Sequence, residues 1–194
     1  MEAVITEVPI KKITIDGNVI YLENITSLGE GKGKVTITTP NGNAYSYYWG
    51  AMGSDLETFI QDINSEYFAN NLIPHNQKFE MDVKGTFKNL RKYIREEIGL
   101  KWYQEMDFQK DLREVLNNFQ QECEDNPNSN YFVTLFDSSF THRLDTSLLK
   151  DKWIKKDFEC FDEVWYFIYE KPTMEYMRLK MLHIKLVHFL KKNK

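Results

Sequence analysis

Apolar and polar positions alternate along the first fifty residues, the period of half-buried strands. Residues 8–15 and 19–25 form two such runs around Asp16-Gly17, a hairpin turn pair. Further on, Val35 and Ile37 share one side of a strand and Lys34, Thr36 and Thr38 the other. Pro40-Asn41-Gly42-Asn43 is a second turn, after which Tyr45, Tyr47 and Trp49 line one side of a returning strand, with Ser46 and Tyr48 opposite. Connections this short leave no room for parallel crossovers, so a four-stranded antiparallel meander is expected.

After Gly53 the period changes to that of a helix. Ser54-Asp55-Leu56-Glu57 has the spacing of a capping box, with Ser54 as N-cap, and Leu56, Phe59, Ile60 and Ile63 follow as a short apolar stripe. A helix is expected over 82–98, striped by Val83, Phe87, Leu90, Ile94 and Ile98 and stopped by Gly99. Another covers 108–123, striped by Phe108, Leu112, Val115, Leu116, Phe119 and Cys123. Asn126-Pro127-Asn128-Ser129-Asn130 reads as a linker. The run 131–136 is too short to choose between strand and helix, whereas 164–169 leans towards strand through its β-branched and aromatic content. Pro172 opens a last helix, whose broad apolar face (Met174, Met177, Met181, Leu182, Ile184, Val187, Phe189 and Leu190) predicts that it is well docked. The fold class is α+β: an N-terminal four-stranded antiparallel sheet packed by helices, residues 1–104, followed by a mainly helical C-terminal half, 105–194, with its linker near 126–130.

Composition narrows the function classes. The 194 residues are 42% apolar and 28% charged, which excludes a disordered or collagen-like chain. Residues 1–12 lack the pattern of a secretory signal, and the longest apolar run, 164–169, is far too short to span a bilayer. Cys123 and Cys160 have no second thiol nearby, as expected of two reduced thiols in a cytoplasmic protein. Aromatics are plentiful, with 13 Phe, 11 Tyr and 4 Trp, and they concentrate in Ala44–Trp49, 131–136 and 164–169. Such clusters belong in a core; one left exposed would mark a partner site.

A net charge of -4 argues against wholesale coating of nucleic acid, yet the charge is uneven. Residues 105–170 are strongly acidic and 171–194 basic. An acidic middle segment can imitate a nucleic-acid backbone in a basic cleft, while terminal lysines also simply complement a helix C-terminus. Within 82–98, Lys84, Lys88, Arg91, Lys92 and Arg95 fall on one continuous helix face. That ridge suits several phosphates or an acidic protein patch, and equally a solvated face partly neutralised by Glu96 and Glu97. Tyr93 and Trp102 are candidate stacking contacts beside it.

Catalytic patterns are missing. His75, His142, His183 and His188 form no metal-binding spacing, and Ser138 and Ser139 near His142 and Asp145 lack a nucleophile turn. Glu159, Asp162 and Glu163 have no companion motif. The Trp49-Gly50-Ala51-Met52-Gly53-Ser54 segment joins strand to helix as phosphate loops do, but without their lysine or glycine spacing, and reads as a tight structural turn. Gly29, Gly31 and Gly33 read as a bulged or closely packed strand start. No catalytic residue, metal or cofactor is expected.

Over about a quarter of the chain, Gly31-Lys32-Gly33-Lys34-Val35-Thr36-Ile37, Tyr48-Trp49-Gly50-Ala51-Met52-Gly53-Ser54, Phe59-Ile60 and Tyr67-Phe68-Ala69-Asn70-Asn71-Leu72 resemble a group of uncharacterised small bacteriophage and prophage proteins. The resemblance implies action inside a bacterial host, by binding and disabling host machinery as anti-CRISPR proteins do. It supplies no site residues. The expectation is a non-catalytic inhibitor of a host defence complex, an RNA-guided nuclease in particular, acting through the basic helix and the acidic segment. The alternative is an accessory protein that binds RNA or single-stranded nucleic acid. Expected partners are therefore a host protein or ribonucleoprotein, with RNA contact open and no membrane.

Overall fold

In the computed structural model, residues 9–25, 31–97, 106–136 and 164–193 are described. The protein is α+β, with a four-stranded antiparallel sheet at the N-terminus and a mainly helical C-terminal half. Strands β1 (Ile10–Ile15), β2 (Asn18–Asn24), β3 (Gly33–Thr38) and β4 (Ala44–Trp49) pair in sequence order. The β1–β2 turn has positive φ at both central residues, 49° at Asp16 and 76° at Gly17. This handedness matches strand twist and demands Asp, Asn or Gly, so the Asp-Gly pair sets the register that places Ile15 opposite Asn18. That register sends Ile13, Ile20, Leu22, Val35 and Ile37 to one buried face.

Three helices cover that face: α1 (Leu56–Asp62), α2 (Ser65–Leu72) and the last helix of the chain. The N-cap of α1 is Asp55, one residue later than the capping-box spacing suggests. Asp55 Oδ1 accepts from Thr58 N at 3.0 Å, and Oδ2 accepts from the Thr58 hydroxyl at 2.7 Å. Ser54 instead donates to the Asp55 carbonyl, and Glu57 is held by Lys11 of β1 at 2.9 Å. A carboxylate that takes two bonds from one residue wins the cap over a hydroxyl. Asn64 then caps α2 through a 2.7 Å bond from Tyr67 N, splitting what reads as one short helix into two.

Between Lys78 and Pro172 the chain leaves this unit. The two compact units are Met1–Lys78 with Pro172–Lys194, and Phe79–Lys171. The units thus divide at 78/79 and 171/172; the boundary expected at 104/105 lies outside the described residues. The second unit starts with β5 (Phe79–Met81), α3 (Val83–Glu97), α4 (Met106–Asp125) and α5 (Ser129–Leu135). Its core is aromatic: Phe119 stacks on Phe132 at 5.2 Å, and Phe87 meets Phe119 edge-on at 4.9 Å. Val83, Leu90, Ile94, Leu112, Leu116 and Cys123 complete the stripes expected for α3 and α4, while Ile98, Gly99 and the Phe108 side chain lie outside the described residues. Asn128, expected in a linker, is a helix cap, its side chain accepting from Asn130 N at 2.9 Å and Tyr131 N at 3.2 Å. Residues 131–135 are accordingly helical.

Residues 164–167 form a single 3-10 turn where a strand is expected, and pairing begins only at β6 (Glu170–Pro172), which joins β5. A tight turn lets Val164 and Phe167, three apart, enter the core together, whereas a strand would point them to opposite faces. Pro172 ends β6, and Thr173 caps α6 (Met174–Lys192), so the proline stands before the cap and not inside the first turn. Only one side of α6 is docked. Tyr176, Leu179, Leu182, His183, Leu186 and Leu190 are buried, while Met174, Met177, Met181, Ile184 and Phe189 are exposed. The broad apolar face expected to be covered is half solvent-facing, because the sheet and α1–α2 offer one surface to a helix that is apolar on two.

Candidate basic–aromatic surface

Helix α3 runs for 15 residues, and its apolar stripe holds it in the core of the second unit. Its basic side chains therefore turn outward. Lys84, Lys88, Lys92 and Arg95 are exposed along one side. Arg91, at the edge of that row, is anchored: Nη1 donates to Gln120 Oε1 at 2.7 Å and Nη2 to Asn117 Oδ1 at 3.1 Å, both on α4, and its guanidinium lies over the Phe87 ring at 5.6 Å. Four of the five expected cations thus form the outward ridge, and the fifth ties α3 to α4. Lys92 is 3.8 Å from Glu96, an exposed i,i+4 pair of small energetic weight.

The side of the ridge away from Arg91 carries the 164–169 segment. Asn89 Nδ2 donates to the Tyr166 carbonyl at 3.3 Å, the Thr86 hydroxyl accepts from Tyr169 N at 3.0 Å, and the Tyr169 carbonyl accepts from Asp82 N at 2.7 Å. At Gly85 the tight neighbour is the Asp82 carboxylate, and Tyr169 lies at ordinary contact distance. A Cβ there would stand 2.5 Å from Asp82 Oδ2 and 3.5 Å from Tyr169 Cβ. With Val164 and Phe167 inserted in the core, Trp165, Tyr166 and Tyr169 are left 56%, 75% and 52% exposed.

Of the two candidate stacking residues, Tyr93 is half-buried and edge-on to Phe167 at 4.9 Å, and Trp102 lies outside the described residues. The exposed rings come instead from the segment that packs on α3. The aromatic cluster at 164–169 is visible in the sequence, but nothing there relates it to the ridge at 84–95; its only signal is the alternation of Val164 and Phe167 with larger amphipathic rings. On the acidic segment, α4 exposes Glu114, Glu124 and Asp125, and much of the rest is outside the described residues.

His142, Ser138, Ser139, Asp145, Glu159, Asp162, Glu163 and Cys160 also fall outside them. His75 and His188 are exposed, while His183 is buried with Nε2 donating to the Ile60 carbonyl at 2.9 Å. Burial pushes the Cys123 thiol up to about 12, which leaves it protonated and unreactive. Among the described residues, no three His, Cys, Asp or Glu side chains gather in a metal-holding group. The strand-to-helix turn at 49–54 is bound to the residues leading into β3 by Met52 N donating to the Gly31 carbonyl at 2.8 Å, and the seven-residue helix beyond it is spoken for by its own cap. Among the described residues, no helix is long and apolar enough to cross a membrane.

No curated protein and no solved structure matches the chain. A family model does, over residues 3–191, nearly the whole length and both units. The chain belongs to that family, the phage family Phage_phiTE_072.

Proposed function

We propose that this phage protein is a non-catalytic binding protein that docks on and disables a host defence complex, an RNA-guided nuclease being the target that suits it best. One observation carries this reading: Lys84, Lys88, Lys92 and Arg95 form an exposed cationic ridge on a helix whose other sides are engaged. Exposed cations in a row favour a polyanionic surface, which a ribonucleoprotein offers through its RNA and through acidic protein patches. Membership of a phage family supports a host target inside the infected cell.

The test is target cleavage by the host nuclease with and without purified protein. Reversing the ridge (Lys84→Glu, Lys88→Glu, Lys92→Glu, Arg95→Glu) while keeping Arg91 should abolish inhibition with the thermal midpoint unchanged. Inhibition that persists at wild-type strength rules the ridge out. A second reading, an accessory protein that binds RNA or single-stranded DNA on its own, draws on the exposed rings beside the ridge. Absence of any gel shift below tens of micromolar at low salt would dispose of it.

A further inference from the structure

We infer that the surface of α3 and the 164–169 turn binds single-stranded nucleic acid, with the ridge on the phosphates and Trp165, Tyr166 and Tyr169 stacking on unpaired bases. This rests on the reading of the ridge as a polyanion contact, and adds the chemistry that selects among polyanions. Residues three apart are neighbours on a helix. Lys92 therefore lies beside Asn89, which holds the Tyr166 carbonyl, and Lys88 lies beside Gly85, against which Tyr169 packs. Cations and rings are adjacent strips of one surface.

The rings are also held for the purpose. Three hydrogen bonds from the segment's backbone, to Asp82 just before α3 and to Thr86 and Asn89 on it, together with the buried Val164 and Phe167 side chains, fix the segment, so exposing Trp165 and Tyr166 is not the by-product of a loose end. Indole and phenol rings in water cost free energy that a core position would recover, and the two inward residues of the same turn show that the core was within reach. A base offers a flat apolar face to such a ring, and every base has one, so stacking is tolerant of sequence. A duplex hides its bases from side-on rings. The single-stranded form is thus the one that uses both strips, and the ridge, about 16 Å from Lys84 to Arg95, matches a short stretch of backbone.

The experiment uses the full chain with three fluorescein-labelled probes: a 12-residue oligothymidylate, the same backbone without bases, and a 12-base-pair duplex. The oligothymidylate should bind at least tenfold tighter than either of the others, with quenching of tryptophan emission. Trp165→Ala and Tyr166→Ala should each weaken it about tenfold, without a shift in thermal midpoint, since both side chains are exposed. The logarithm of affinity should fall with that of salt with a slope of about -3, for four phosphates neutralised. Equal binding of the base-free backbone or the duplex, or alanine variants that bind as wild type, overturns the stacking role and leaves the ridge as a phosphate contact. No binding of any probe, with nuclease inhibition intact and lost in Trp165→Ala, overturns the inference in favour of a protein partner and leaves the proposed function standing.

Discussion

His183 sits in the core of the sheet-bearing unit, its ring 4.6 Å from that of Phe68. Burial holds its pKa below the usual 6.5, and the bond to the Ile60 carbonyl only partly opposes this. The folded state therefore keeps a neutral imidazole where the unfolded chain takes up a proton. Stability from this site is complete above the unfolded value and declines as pH falls through it towards the lower folded value. Urea midpoints at pH 7.5 and 5.5 should drop more for wild type than for His183→Gln; equal drops would absolve His183. Asp55 has the same sign of pH dependence from a different cause. Its bonds with Thr58, side chain first, hold its carboxyl below the ordinary range, so its contribution is lost as acid protonates it. Asp55→Ala should cost about 1 kcal/mol and Asp55→Asn much less, because the amide oxygen still caps. The cap was legible as a cluster of polar residues before an apolar stripe, but not which of two neighbours would serve. That choice follows from the backbone path, which the following Leu56 sets when it enters the core and its N–H donates to Asn24 Oδ1.

At the scale of elements, α3 shows how far a pattern carries. Its stripe and ridge were both readable because a helix repeats its faces along the sequence, and every residue needed lies within 15 positions. The 164–167 turn was not, since six residues fit either period and only the pocket between α3 and its neighbours selects the one that buries Val164 and Phe167. The aromatic centre should dominate this unit. Phe132→Ala is expected to cost about 3–5 kcal/mol, and hydrogen exchange should report lost protection across α3, α4 and α5 while the sheet amides keep theirs. Loss in the sheet to the same degree would mean that the units unfold as one.

The whole molecule is a chain that departs from its first unit and returns to it. Departure and return are adjacent: Thr173 N donates to the Lys78 carbonyl at 2.9 Å, and its hydroxyl donates to the Gln77 carbonyl at 2.8 Å. Replacing 79–171 with a short glycine–serine linker should leave the first unit folded, with Trp49 near-ultraviolet dichroism and a cooperative urea transition retained. Stopping the chain at 171 should instead strip Leu179, Leu182, Leu186 and Leu190 from the core, giving dye binding and loss of that signal. Dye binding by the linked version and not by the truncated one would reverse this assignment of α6.

What the sequence determined by itself is local and periodic: the order of strands, the Asp16-Gly17 turn, the two central helices, and the cationic row on α3. Each depends on residues close enough along the chain to share one period or one turn. Tertiary structure decided everything that joins distant positions. It brought α6 back under the first sheet, made Asn128 a cap, withdrew Arg91 and Tyr93 into packing, and set Trp165, Tyr166 and Tyr169 beside the ridge. Burial is a property of the surface a side chain meets, and no period within a segment says which surface that is.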